Sequence, residues 1–154
     1  MDRFEPSVLV EGDEFFRFLR RGAIEPWLRE ANSQNEVVTK AAGAAAGRYA
    51  AGGSTTLYDG VVGPWFLPTF LEASLLDRLD YVLLLPPLER CLDRVRTRTG
   101  HGFHDEDATR HMHRAFVDAE IDPRHVLPDP ADDPDATAGA IIGGLREGRF
   151  RYTG

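Results

Sequence analysis

The run Tyr81-Val82-Leu83-Leu84-Leu85 decides the fold class. It is apolar and partly β-branched, and it does not alternate with polar residues, which is the pattern of a strand covered on both faces in a parallel sheet between helices. Three shorter runs of the same character share the chain with it: Ser7–Val10 (SVLV), Thr55–Tyr58 (TTLY) and the weaker His125–Leu127 (HVL). Helical patterns fill the gaps. Phe15–Arg21, Glu25–Ala31 and Gln34–Ala51 precede the second run, and Leu67–Leu79 precedes the third. Leu88–Thr99 and Asp107–Ala119 flank the glycine-rich GHGF at 100–103, and Ala136–Glu147 closes the chain. The order β-αα-β-α-β-αα-β-α predicts an α/β layer fold with right-handed crossovers. Ala41, Gly43, Ala44 and Gly47 allow the third helix to approach a sheet closely. No repeat is present and the one linker-like segment is Leu127–Asp135, so a single domain over residues 1–154 is expected.

Bulk composition narrows the classes of function. A chain of 154 residues, 42% hydrophobic and 28% charged, can bury a sizeable core. Its 25 acids against 18 bases give a formal charge of -7, so no excess of positive charge exists to hold nucleic acid. The longest apolar run, Tyr81–Leu88, is far short of the roughly 20 residues of a membrane helix, and Met1-Asp2-Arg3 has no signal-peptide character. A cytoplasmic protein without membrane partners is therefore expected. The lone cysteine, Cys91, reads as a small apolar residue within a helix.

Open α/β sheets place their chemistry beyond the carboxyl ends of the strands. Here those ends are acidic: SVLV runs into Glu11-Gly12-Asp13, TTLY into Asp59-Gly60, and HVL into Pro128-Asp129. Each alone is an ordinary turn. Two carboxylates, Asp13 and Asp59, converging on one edge could share a metal ion or set up general-base chemistry. Aromatic residues gather near the same strand ends in the sequence. Most belong to the core, while Phe16 and Trp65 are the first candidates to wall a small-molecule pocket, with Glu11, Gln34 and Asn35 as polar contacts.

Taken together, VEGDEFFRFL, the small-residue helix, LYDGVVGPWFLPTF and YVLLLPPLERCLDRVRTRTGHG resemble the P-loop small-molecule kinases, a group broadly described as AAA-type ATP-binding proteins. The layout is similar to shikimate kinase, gluconate kinase and chloramphenicol phosphotransferase, and the resemblance spans Val8 to Phe150. It implies a three-layer parallel sheet and ATP-dependent phosphorylation of a small hydroxylated molecule with Mg2+. On it, Asp13 matches the acid that orients or deprotonates the acceptor hydroxyl, and Asp59 the acid that helps hold magnesium. Arg94 and Arg98, one helical turn apart, match a lid over the nucleotide phosphates. Arg110 repeats that placement with Arg114, so the lid spans about 94–114.

One family hallmark is absent from these residues. The phosphate loop G-x-x-x-x-G-K-[ST] occurs nowhere, and the only lysine, Lys40, stands between Thr39 and Ala41. In the family that loop follows a strand lying between those matched by Thr55–Tyr58 and Tyr81–Leu85. The expectation is a P-loop kinase-type sheet lacking its first, central strand, with two inner edges left unpaired, and an N-terminally truncated, inactive chain. Two other functions compete. One is a non-catalytic metabolite- or partner-binding relative. The other is a metal-binding protein using His101, His104, His111 and His113, although His111 and His113 would lie roughly 200° apart on a helix.

Overall fold

The computed structural model describes residues 4–97, 104–127 and 133–154. They divide into two compact units, one running to Arg78 and the other covering Leu79–Thr153.

The first unit is built on two parallel strands, β1 (Ser7–Glu11) and β2 (Thr55–Asp59). Their β-branched and aromatic residues suit a pleated surface, and they pair in register from Ser7↔Thr55 to Glu11↔Asp59. A short helix α1 (Gly12–Arg17) leaves β1 at once, and α2 (Asn32–Ala51) carries the chain back toward β2 through a turn in which Gly53 has φ +88°. Helix α3 (Leu67–Ser74) packs on α2. The buried stripe of α2 comprises Val38, Thr39, Ala42, Gly43, Ala46 and Gly47, at helical spacing. Val10, Val62, Leu67, Phe70 and Leu71 complete this core, and the Tyr58 ring stands edge-on to Phe70 at 4.9 Å.

The second unit holds four short strands in two pairs. β3 (Leu79–Asp80) runs antiparallel to β6 (Arg151–Tyr152), and β4 (Leu83–Leu84) parallel to β5 (Val126–Leu127). The Tyr81 amide donates to the Phe150 carbonyl at 2.8 Å and the Leu85 amide to the Leu127 carbonyl at 3.0 Å. Around them lie α4 (Leu88–Thr97), α5 (Glu106–Val117) and α6 (Pro134–Arg146). Asp105 caps α5 by accepting from the Ala108 amide, and Asp133 caps α6 by accepting from the Asp135 amide. Leu92 and Phe150 are fully enclosed.

The expected α/β character holds, while a single three-layer parallel sheet is not what these residues form. Among the described residues there are three two-stranded sheets, in which β2 pairs with β1 alone and β4 with β5 alone. The run Tyr81–Leu85 is not one continuous strand, because the segment changes partner from β6 to β5 along its length. The helix expected over Glu25–Ala31 reduces to a 3-10 turn at Arg29–Ala31. Pro26 lies inside that stretch, and two side chains from α2 hold the backbone of Ile24 and Pro26. The helix expected over Phe15–Arg21 starts at Gly12 and stops at Arg17. Helix α3 stops at Ser74 instead of Leu79, because Leu75 turns left-handed with φ 57°.

Candidate functional site

The parallel register places Glu11 and Asp59 side by side at the carboxyl ends of β1 and β2, with Asp13 in the first turn of α1 directly beyond. Two glycines bring the chains together under these acids. A Cβ on Gly12 would lie 2.3 Å from the Tyr58 hydroxyl and 3.1 Å from the Asp59 carbonyl, and one on Gly60 would lie 2.9 Å from the same hydroxyl and 3.0 Å from the Gly12 Cα. The spacing Glu-Gly-Asp and Asp-Gly therefore does more than terminate strands: it lets the tyrosine ring reach between two backbones. All three carboxylate residues are exposed, whereas Tyr58 is half-buried beneath them. Burial first, then the charges of Asp13 and Asp59, push the Tyr58 phenol up to about 12.

That shift has a signed consequence. A phenol held protonated by the fold keeps its proton between pH 10 and about 12 while the unfolded chain releases it, so stability falls as pH rises through that window and is unaffected below it. Two pH units correspond to about 2.7 kcal/mol, which partial solvent contact reduces to about 2 kcal/mol for Tyr58. Tyr81, in the other unit, is pushed up to about 12 by burial and adds a smaller share. Urea unfolding of Tyr58→Phe should show a shallower loss of stability above pH 10 than the unaltered chain, and an unchanged pH dependence would disprove the assignment.

Of the two aromatic candidates, Phe16 is half-buried on α1 and Trp65 is 45% exposed in the 3-10 turn Pro64–Phe66. Gln34 and Asn35 sit in the first turn of α2 and engage the loop before it. The Gln34 amide accepts from the Ile24 N–H at 2.8 Å and donates to the Ile24 carbonyl at 2.7 Å. Asn35 donates to the Pro26 carbonyl at 2.7 Å, and its Oδ1 is buried without a hydrogen-bond partner. Both residues thus shape the loop 19–28 in this structure. A shallow hollow of about 120 Å³ between α2 and α3, lined by Ala44, Arg48, Ala73 and Leu75 among others, contains no acid and is too small for a metabolite.

The arginines lie in the second unit. Arg94 is exposed in the last turn of α4, Arg110 is exposed on α5 and bonds Glu106 at 3.4 Å, and Arg98 lies outside the described residues. A cation that ties α4 to α5 lies outside the expected set. Arg96 forks onto Glu106 with two bonds of 2.8 Å, raising its own pKa and lowering that of Glu106. Its only sequence signal was a cation in the last turn of α4 and an acid in the first turn of α5.

The described histidines do not converge. The His104 ring pairs with the Val95 carbonyl at 3.1 Å and the His113 ring with the Pro86 carbonyl at 3.0 Å, while His111 is exposed and His101 lies outside the described residues. Buried His125 accepts from the Arg124 guanidinium through Nε2, which leaves Nδ1 to donate to the Tyr81 carbonyl. Among the described residues no three His, Cys, Asp or Glu side chains are grouped to hold a metal ion. A magnesium ion held by one carboxylate, water and a phosphate needs no such cage, so Asp59 or Glu11 fits that role. ATP phosphates fit less well: the sole lysine, Lys40, bonds Glu36 on α2 at 2.6 Å, and no glycine-rich phosphate loop occurs in the sequence. No protein-family model and no curated protein matches the chain. Among the described residues no helix is long and apolar enough to cross a membrane.

Proposed function

We propose that this chain carries the acceptor side and lid of an ATP-dependent phosphotransferase acting on a small hydroxylated molecule. The observation that supports it is the register Glu11↔Asp59, which sets two acids at adjacent parallel-strand ends with Asp13 in the following turn. Asp13 orients the acceptor hydroxyl and takes its proton, and Asp59 or Glu11 would hold a magnesium ion, which would supply positive charge toward phosphate. Phe16 and Trp65 wall the pocket. By the resemblance, Arg94 and Arg110 of the second unit belong to a lid whose cations meet phosphate, the group whose charge such reactions must stabilise. Each unit carries one parallel strand pair, the strand arrangement that the resemblance calls for.

The test is calorimetric titration of the 154-residue chain with a panel of polyols, sugars and hydroxy acids. Binding by one class, weakened at least tenfold in Asp13→Asn with unchanged circular dichroism, is the expected result; binding by none would overturn the reading. A binding protein without phosphotransfer is the second reading, favoured by the engagement of the one lysine of these residues, Lys40, with Glu36. It shares the titration result and differs in yielding no ADP from MgATP in the natural protein.

A further inference from the structure

We infer that the 154-residue chain pairs with a second copy of itself along the edge of β2 that points away from β1. The Thr55 amide donates to the Pro6 carbonyl at 2.9 Å, so the backbone groups of Thr55, Leu57 and Asp59 face β1. Alternation along the strand turns the N–H and C=O of Thr56 and Tyr58 to the opposite edge. Among the described residues no strand occupies that edge. Main-chain groups left this way are a template for another strand. Little on β2 blunts the template: Thr55-Thr56-Leu57-Tyr58 carries neither charge nor proline, and the strand's one charge, Asp59, stands at its end. Apolar surface lies alongside, because Leu57 and its register partner Leu9 are 52% and 44% exposed. Parallel sheets ordinarily bury both faces.

The edge is also complementary to itself. Antiparallel pairing about a two-fold axis at Leu57 sets Thr56 against Tyr58 of the second copy, and Tyr58 against its Thr56. These are the residues whose backbone groups point outward, so roughly four main-chain hydrogen bonds form. Leu57 meets its own counterpart at the position where side chains come closest. Asp59 falls opposite Thr55, so no like charges face each other. The inference does not rest on the phosphotransfer reading, and a polypeptide that supplied its own strand to this edge would exclude it, so the 154-residue chain is the material to test.

Light scattering on a gel-filtration column, over a dilution series from about 200 µM to about 2 µM, should give twice the 17.1 kDa monomer mass at the concentrated end. Leu57→Lys and Leu57→Glu put like charges opposite each other, so each alone should run as a monomer with unchanged circular dichroism. Mixing the two should restore the doubled mass, because opposite charges then meet. A monomeric unaltered chain throughout, dimeric single variants, or a mixture that stays monomeric would each overturn the proposal. None of these readouts depends on acceptor or nucleotide.

Discussion

Gly47→Ala should destabilise the unit up to Arg78 by about 3 kcal/mol, measured as the urea unfolding free energy. In an exposed helix the same change is favourable by about 1 kcal/mol, since alanine is the better helix former. At position 47 the sign reverses because there is no room. A Cβ there would lie 1.9 Å from the Ser74 carbonyl oxygen and 2.7 Å from its Cα, and one at Gly43 would lie 2.6 Å from the Phe70 carbonyl. Positions 43 and 47 are one turn apart on α2, and 70 and 74 one turn apart on α3, so the two backbones touch along two successive turns. The obstructing atoms are main chain and cannot rotate away. Helix α3 must back off, drawing Phe70 and Leu71 out of the core, the kind of overpacking that costs 1–3 kcal/mol or more. Gly143→Ala is the control. Nothing lies within 4 Å of a Cβ at that helical position, so the substitution should stabilise by about 0.5–1 kcal/mol. Equal stabilities for the two variants would contradict the packing described.

Phe150→Ala should cost about 3–5 kcal/mol, the range for removing a fully buried phenylalanine. Phe150 has no exposed surface. Its ring lies on Gly144, where a Cβ would come 2.3 Å from Cε2, and the Arg149 guanidinium stands 5.0 Å from the ring centroid. The backbone at Phe150 accepts the Tyr81 amide, and Arg149 reaches back to the Arg124 carbonyl at 2.9 Å. One residue thus fastens α6 to the start of the Tyr81–Leu85 segment. Chemical denaturation monitored by circular dichroism gives the loss directly, and a cost below about 1 kcal/mol would mean that the core of this unit lies elsewhere.

Local pattern carried the strands of the first unit well. SVLV and TTLY each have the β-branched, turn-bounded character of a strand, and both form within a residue of their expected limits. The small-residue stripe of α2 was legible too, although it meets α3 and its close contacts are helix to helix. The Tyr81–Leu85 run was harder to read, because its pairing is set by Arg151–Tyr152 and Val126–Leu127, two-residue strands with no periodicity of their own. The segment Glu25–Ala31 misled for a related reason: the Asn35 side chain takes the Pro26 carbonyl and Gln34 holds Ile24 just before it, and residue pattern does not register such distant bonds. In the candidate site the acids were visible as strand-terminal residues, but Tyr58 was read only as a strand position. Its burial under Asp13 and Asp59 depends on Gly12 and Gly60 approaching within reach of one ring.

The acceptor role of the acidic strand ends is tested most directly by acceptor-dependent ADP release in the natural protein, purified from its own cells, beside its Asp13→Asn variant. The expected result is turnover of MgATP with one class of hydroxylated molecule, lowered on the order of 10²-fold by the substitution, as for loss of a positioned general base. No ADP release with any acceptor, or release indifferent to Asp13, would contradict it.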